Sequence, residues 1–173
     1  KKIIKIISQI LAIITIIVFS YAITPKTFQN DTFYTIKIGE HISNTTKSIT
    51  DLLPWNKGLD MQDQFSFHNL PYTYPHWLYD VFIYLIYKVG GYVGIYISSI
   101  VLFMLLLFLI FKTNKKITDN YTVSAFATFI CALAISSFAT ARAQLVSFLV
   151  FALQIYFIES FLIVCPLCIL YFK

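Results

Sequence analysis

The sequence predicts an all-α membrane protein with about four transmembrane helices and a long first outer loop containing short amphipathic helices. Three observations carry that expectation. Hydrophobic residues make up 58% of the 173 positions against 12% charged, and mean hydropathy is +0.76, a balance far too apolar for a soluble domain of this length. The apolar residues gather in runs of about 20, which at a rise of about 1.5 Å per residue match the roughly 30 Å of a bilayer core. The lysines gather at the ends of those runs, so the net charge of +5 reads as topology. Nucleic-acid binding would need a basic face or stripe, and none is present.

The first span covers about 4–24. It is uncharged from Ile6 to Pro25 and follows Lys1, Lys2 and Lys5. A signal peptide shares the basic start, but this run is long for a signal core and lacks a small-x-small cleavage site. An uncleaved span with a cytoplasmic N-terminus is therefore expected. The outer loop covers 25–91 and is near neutral. Within it, Asn30 and Asp31 ahead of Thr32 to Ile42 predict a capped short helix, and Pro54 with Gly58 predicts a turn.

Trp77 to Val89 is too short to span. Leu78, Val81, Phe82, Leu85, Ile86 and Val89 recur at helical spacing, while Asp80, Tyr84, Tyr87 and Lys88 take the opposite face, so an interfacial helix is expected over 77–89. Gly90 and Gly91 break the pattern. The second span covers 92–111 and runs inward to Lys112, Lys115 and Lys116; the third covers 121–141 and ends at Arg142; the fourth covers 143–164 and carries Glu159. Four spans with both ends inside satisfy the positive-inside bias, which predicts a multi-pass protein of the cell membrane. Lys1 at the start and an apolar run up to Lys173 predict the N-terminal portion of a longer protein.

The three cysteines do not form a disulfide framework, and Cys131, alone in an apolar helix, is expected to be a buried structural thiol. Cys165-Pro166-Leu167-Cys168 has the spacing of the quinone-linked disulfide enzymes. Those enzymes need a second reactive pair, and the outer loop holds no cysteine.

The stretch from Asp63 to Asp80, DQFSFHNLPYTYPHWLYD, concentrates the polar and aromatic side chains. Its acids and histidines, together with Asp31 and Arg142, are the candidates for chemistry. In order, Asp31, Ile36 to Ile42, Asp63 to Phe67, His76-Trp77-Leu78, Gly90-Gly91 and Arg142-Ala143-Gln144-Leu145 give a pattern that resembles the N-terminal part of bacterial polytopic proteins. These are similar to the GT-C glycosyltransferases, the superfamily of protein mannosyltransferases and of arabinose or oligosaccharide transferases. The resemblance runs from about Lys5 to Glu159 and is carried by order and spacing. Where the family has Arg-Pro-Gln, this chain has Arg142-Ala143-Gln144.

The resemblance implies transfer of a sugar from a polyprenyl-phosphate donor at the outer membrane face, with Asp31 as the catalytic acid of the first outer loop. The residues suit that chemistry. A base must approach the acceptor hydroxyl, and partial desolvation at an interface raises a carboxylate's pKa; Asp31 is the first candidate and Asp63 the second. The departing phosphate suits a guanidinium, which pairs it in a bidentate way, so Arg142 with Gln144 beside it is the candidate binding pair. His68 and His76 could assist the phosphate or the acceptor, and Trp77 could stack on a sugar ring.

Each residue also has a plain role. Asp31 is equally a helix cap, Asp63 a turn residue, Arg142 a snorkelling side chain, the histidines loop residues and Trp77 an interfacial anchor. No metal site is expected, since His68 and His76 lie in a proline-containing loop and Asp60 with Asp63 has no ligand spacing. The cofactor stays unknown, although some GT-C relatives use a divalent metal. The expected partners are the lipid bilayer and the polyprenyl-phosphate sugar donor, without nucleic acid. Two other classes stay open: a membrane transporter subunit, which would place ionisable residues inside its spans, and a noncatalytic membrane protein.

Overall fold

A computed structural model describes residues 2–45 and 76–164. Among these residues it is all-helical: α1 covers Lys2–Ile23, α2 Asn30–Thr45, α3 Trp77–Thr118, α4 Tyr121–Ala134 and α5 Ala143–Val164, with a short 3-10 turn at Ser136–Phe138. The expectations for Asp63, His68, the turn at Pro54 and the tail cysteines lie outside the described residues. The chain divides into two units, Lys1–Phe28 with Tyr96–Lys173, and Gln29–Ile95.

Two helices, α3 and α5, are long and apolar enough to cross a membrane. Only 28% and 11% of their apolar windows are buried, which separates them from the core helices of a soluble protein. Much apolar surface faces outward elsewhere too, with Ile7, Leu11, Ile14 and Val18 of α1 all exposed. Continuous exposed apolar surface of this kind suits lipid contact and does not suit water.

In the first unit α1, α3, α4 and α5 share a core that includes Ile16, Phe103, Leu107, Phe111, Ala132 and Leu145. Several buried hydroxyls are satisfied inside their own helices: Ser20 Oγ donates to the Ile16 carbonyl at 2.8 Å, Thr128 Oγ1 to Ser124 at 2.7 Å and Thr113 Oγ1 to Leu109 at 2.9 Å. Such back-bonding lets these hydroxyls do without water. Helix α1 runs parallel to α4, because Gln9 donates to Tyr121 near their starts and the Phe19 and Phe129 rings meet further along, 5.0 Å apart. The tight turn at Asp119, φ 49°, sends α4 back from the end of α3. The last turns of α3 and α5 also meet, since Lys116 donates to Ser160 and lies 4.3 Å over the Tyr156 ring.

Two local expectations change in the structure. The apolar segment expected over 121–141 is helical only to Ala134. There the Ile135 amide makes the last α-helical bond, to the Cys131 carbonyl, the Ser136 hydroxyl donates to the Leu133 carbonyl at 2.7 Å, and Phe138 meets Phe148 edge to face. Serine competes for the terminal carbonyls, and the helix stops. Cys131 is exposed, not buried. In an apolar helix with one face packed, its position falls on the outward side. The break expected at Gly90-Gly91 is present: α3 is two helical segments joined across a kink at Gly91, whose φ of 58° and ψ of −151° are non-helical. That region of backbone space is open essentially to glycine alone.

Candidate functional site

In the second unit α2 packs on the first part of α3. The contact is built at Gly39. A Cβ there would stand 2.1 Å from the Asp80 carbonyl oxygen and 2.7 Å from Tyr84 Cβ, so only a hydrogen atom fits between the helices. Around this crossing Thr32, Ile36 and Ile42 of α2 and Ile83 of α3 are buried.

The same crossing buries Asp80, which is 4% exposed. Desolvation raises its pKa to about 6, partly offset by a side-chain hydrogen bond with Thr35. Burial first, and the Asp80 charge second, push the neighbouring Tyr79 hydroxyl upward as well. A buried carboxyl that titrates near neutrality can hold or release a proton under physiological conditions, as an ordinary surface aspartate cannot. The helical pattern groups Asp80 with Tyr84, Tyr87 and Lys88 on the face opposite the apolar one. In the structure Leu78, Phe82, Leu85 and Val89 are exposed, as an apolar face laid on lipid would be, while Asp80 and Ile83 are buried. The signal that could have found Asp80 is a glycine in the middle of the α2 helix, Gly39, since a helix interior keeps glycine chiefly where another backbone comes close.

Asp31 lies in the same unit, exposed, in the first turn of α2. The helix begins at Asn30, and the Thr32 amide bonds the Gln29 carbonyl at 3.0 Å. Both Asn30 and Asp31 are thus inside the helix start, where a carboxylate complements the positive end of the macrodipole. His76 is exposed and precedes α3, its carbonyl accepting the Asp80 amide at 3.0 Å. Trp77 is the first residue of α3 and half-buried.

Arg142 and Gln144 belong to the first unit. The Arg142 carbonyl accepts the Leu145 amide at 3.1 Å and its own amide donates to Thr140 at 2.7 Å, so Arg142 occupies the N-cap position of α5. Gln144 is exposed in the first turn, and Leu145 beside it is buried at 1%. The helix N-terminus adds its free amides to the guanidinium, a combination suited to an anion. Arg142 stands at the opposite end of this unit from Lys112, Lys115 and Lys116, because α4 separates the two along its length. Among the described residues no group of three or more His, Cys, Asp or Glu could hold a metal ion.

Comparison of the chain with protein-family models, with curated proteins and with solved structures returns no match.

Proposed function

We propose that the chain is a four-span integral membrane protein that functions in a glycosyltransferase, taking a sugar from a polyprenyl-phosphate carrier at the outer membrane face. The observation that carries this reading is the separation of charge within the first unit. Three lysines cluster at the end of α3, and Arg142 caps α5 at the far end of the bundle. The lysine end is then cytoplasmic by the positive-inside bias, and Arg142 belongs to the outer side. Arg142 with the α5 N-terminus pairs the departing phosphate, and Gln144 supports it. Asp31, soon after the end of α1 along the chain, acts as the base, with Asp63 second; His68, His76 and Trp77 contact substrate.

The test is sugar transfer from polyprenyl-phosphate donors in membranes carrying the protein, wild type against Asp31→Asn and Arg142→Ala. Loss of a general base lowers the rate by about 10²-fold or more. Undiminished transfer by both variants would remove these roles. Sidedness is checked separately by labelling single cysteines from outside the cell: a reagent that reaches position 115 and misses position 57 would invert the map.

Transport is the second reading, favoured by the burial of Asp80. A protonatable carboxyl between helices is the kind of group that couples proton binding to movement. Asp80 lies ahead of Gly91, outside the uncharged 92–111 segment, and for this reason transfer is preferred.

A further inference from the structure

The first unit contains a half-open apolar groove of about 320 Å³ between α1, α3 and α4. Its wall runs from Ile7 to Phe19 on α1 and from Thr122 to Ala132 on α4, with Leu107 and Phe111 of α3 as the floor. Ile7 to Phe19 is about 18 Å of helix, close to the roughly 15 Å of one leaflet's hydrocarbon. Of the three threonines in the wall, Thr15 spends its hydroxyl on the Leu11 carbonyl at 2.8 Å and Thr128 on the Ser124 carbonyl at 2.7 Å. The remainder of the lining, apart from Thr122, is apolar. A dry cavity of about 150 Å³ accommodates benzene, so this groove has room for about a dozen carbons.

Lysines follow beyond one end of the groove. Leu107, Phe111 and Lys115 follow at helical spacing on one face of α3, which carries the groove floor directly to an ammonium group. Lys115 Nζ lies 4.5 Å over the Tyr121 ring, and Tyr121 precedes the lining residue Thr122. Lys112 and Lys116 belong to the same two turns, and α1 begins with Lys2 and Lys5. Lys115 also pairs with Asp119 at 2.5 Å; the Lys115 side chain is 20% exposed and that of Asp119 98% exposed, so the carboxylate partner stands in solvent and a phosphate can compete with it. Lysine outnumbers acid at this end, with only Asp119 and Glu159 as nearby acids in these helices.

We infer that this groove holds one acyl chain of an anionic phospholipid of the cytoplasmic leaflet, with the headgroup phosphate on Lys115. The inference rests on the membrane reading of the chain and is independent of sugar transfer. Basic pockets between helices at the cytoplasmic face recognise anionic headgroups in this way, while the apolar wall sets chain length and depth.

The test is native mass spectrometry of the detergent-solubilised chain incubated with dioleoyl phosphatidylglycerol or with dioleoyl phosphatidylcholine. The two lipids share chains and differ in headgroup charge. Wild type is expected to retain the anionic lipid at least about fivefold over the neutral one, the contribution of a single lysine near the surface. Lys115→Gln should bring phosphatidylglycerol down to the phosphatidylcholine level and leave the latter unchanged, whereas Lys115→Arg should keep the preference. Thr15→Phe, at an exposed position of the wall, should lower retention of both. Helicity by circular dichroism confirms that each variant folds. Equal retention of the two lipids by wild type, or full retention by Thr15→Phe, would overturn the proposal. So would a lipid-free dimer of the chain that Thr15→Phe dissociates, since a second copy would then fill the groove.

Discussion

Replacing Gly39 by alanine measures how closely α2 approaches α3. In a helix interior alanine is better than glycine by about 1 kcal/mol, so without tertiary contact the variant would be more stable. The added Cβ would instead sit 2.1 Å from the Asp80 carbonyl oxygen and 2.7 Å from Tyr84 Cβ. Carbon to carbonyl oxygen contacts settle at about 3.3 Å or more, so the helices must separate by roughly 1.2 Å at the crossing. The carbonyl belongs to the α3 backbone and cannot rotate away as a side chain would. Overpacking of this kind costs about 1–3 kcal/mol, which outweighs the propensity gain. A net loss of up to about 2 kcal/mol is expected in reversible unfolding from detergent micelles. Gly90→Ala supplies the control, because a Cβ there meets nothing within 4 Å; it should gain about 0.5–1 kcal/mol. Gly91→Ala should lose about 1–3 kcal/mol, because its φ of 58° is strained for any side chain. If Gly39→Ala were as stabilising as Gly90→Ala, α2 would not rest on Asp80, and the burial of that carboxyl would lose its explanation.

Asp80→Asn addresses the carboxyl itself. With its pKa raised to about 6, the folded state holds the proton more tightly than the unfolded one. Stability is therefore greatest below about pH 4 and falls as pH rises through about 6, a loss of up to about 3 kcal/mol. Asparagine should abolish that fall and be the more stable form at pH 7.5; parallel pH profiles for the two proteins would refute it. Asn120→Ala removes the side-chain cap that accepts the Thr122 amide, and should cost about 1 kcal/mol in the same unfolding measurement. Tyr121→Phe deletes the acceptor of the Gln9 amide. In an apolar setting the loss should be about 0.6 kcal/mol, and coupling with Gln9→Ala in a double-mutant cycle should be of similar size.

Local pattern was enough to locate most of the helices. Long uncharged runs, the lysines at their ends, the break at Gly90-Gly91 and the restart of helix after Arg142 are all written in neighbouring residues, because hydropathy and backbone preference act over a few turns. Asp31, His76, Trp77, Arg142 and Gln144 fall at helix starts for the same reason. What the local pattern misassigned depends on partners far along the chain. Asp80 looks like a surface residue until α2 covers it, and Gly39 looks like a weak spot until a carbonyl stands where its side chain would be. The path of the chain after α4 is held by Phe138 against Phe148, and the sidedness of Cys131 requires a packed face to turn away from. Sequence alone set which segments are helical and how apolar they are; tertiary contact decided which face of each helix is covered, since covering a polar group takes a second helix whose approach no single stretch of sequence records.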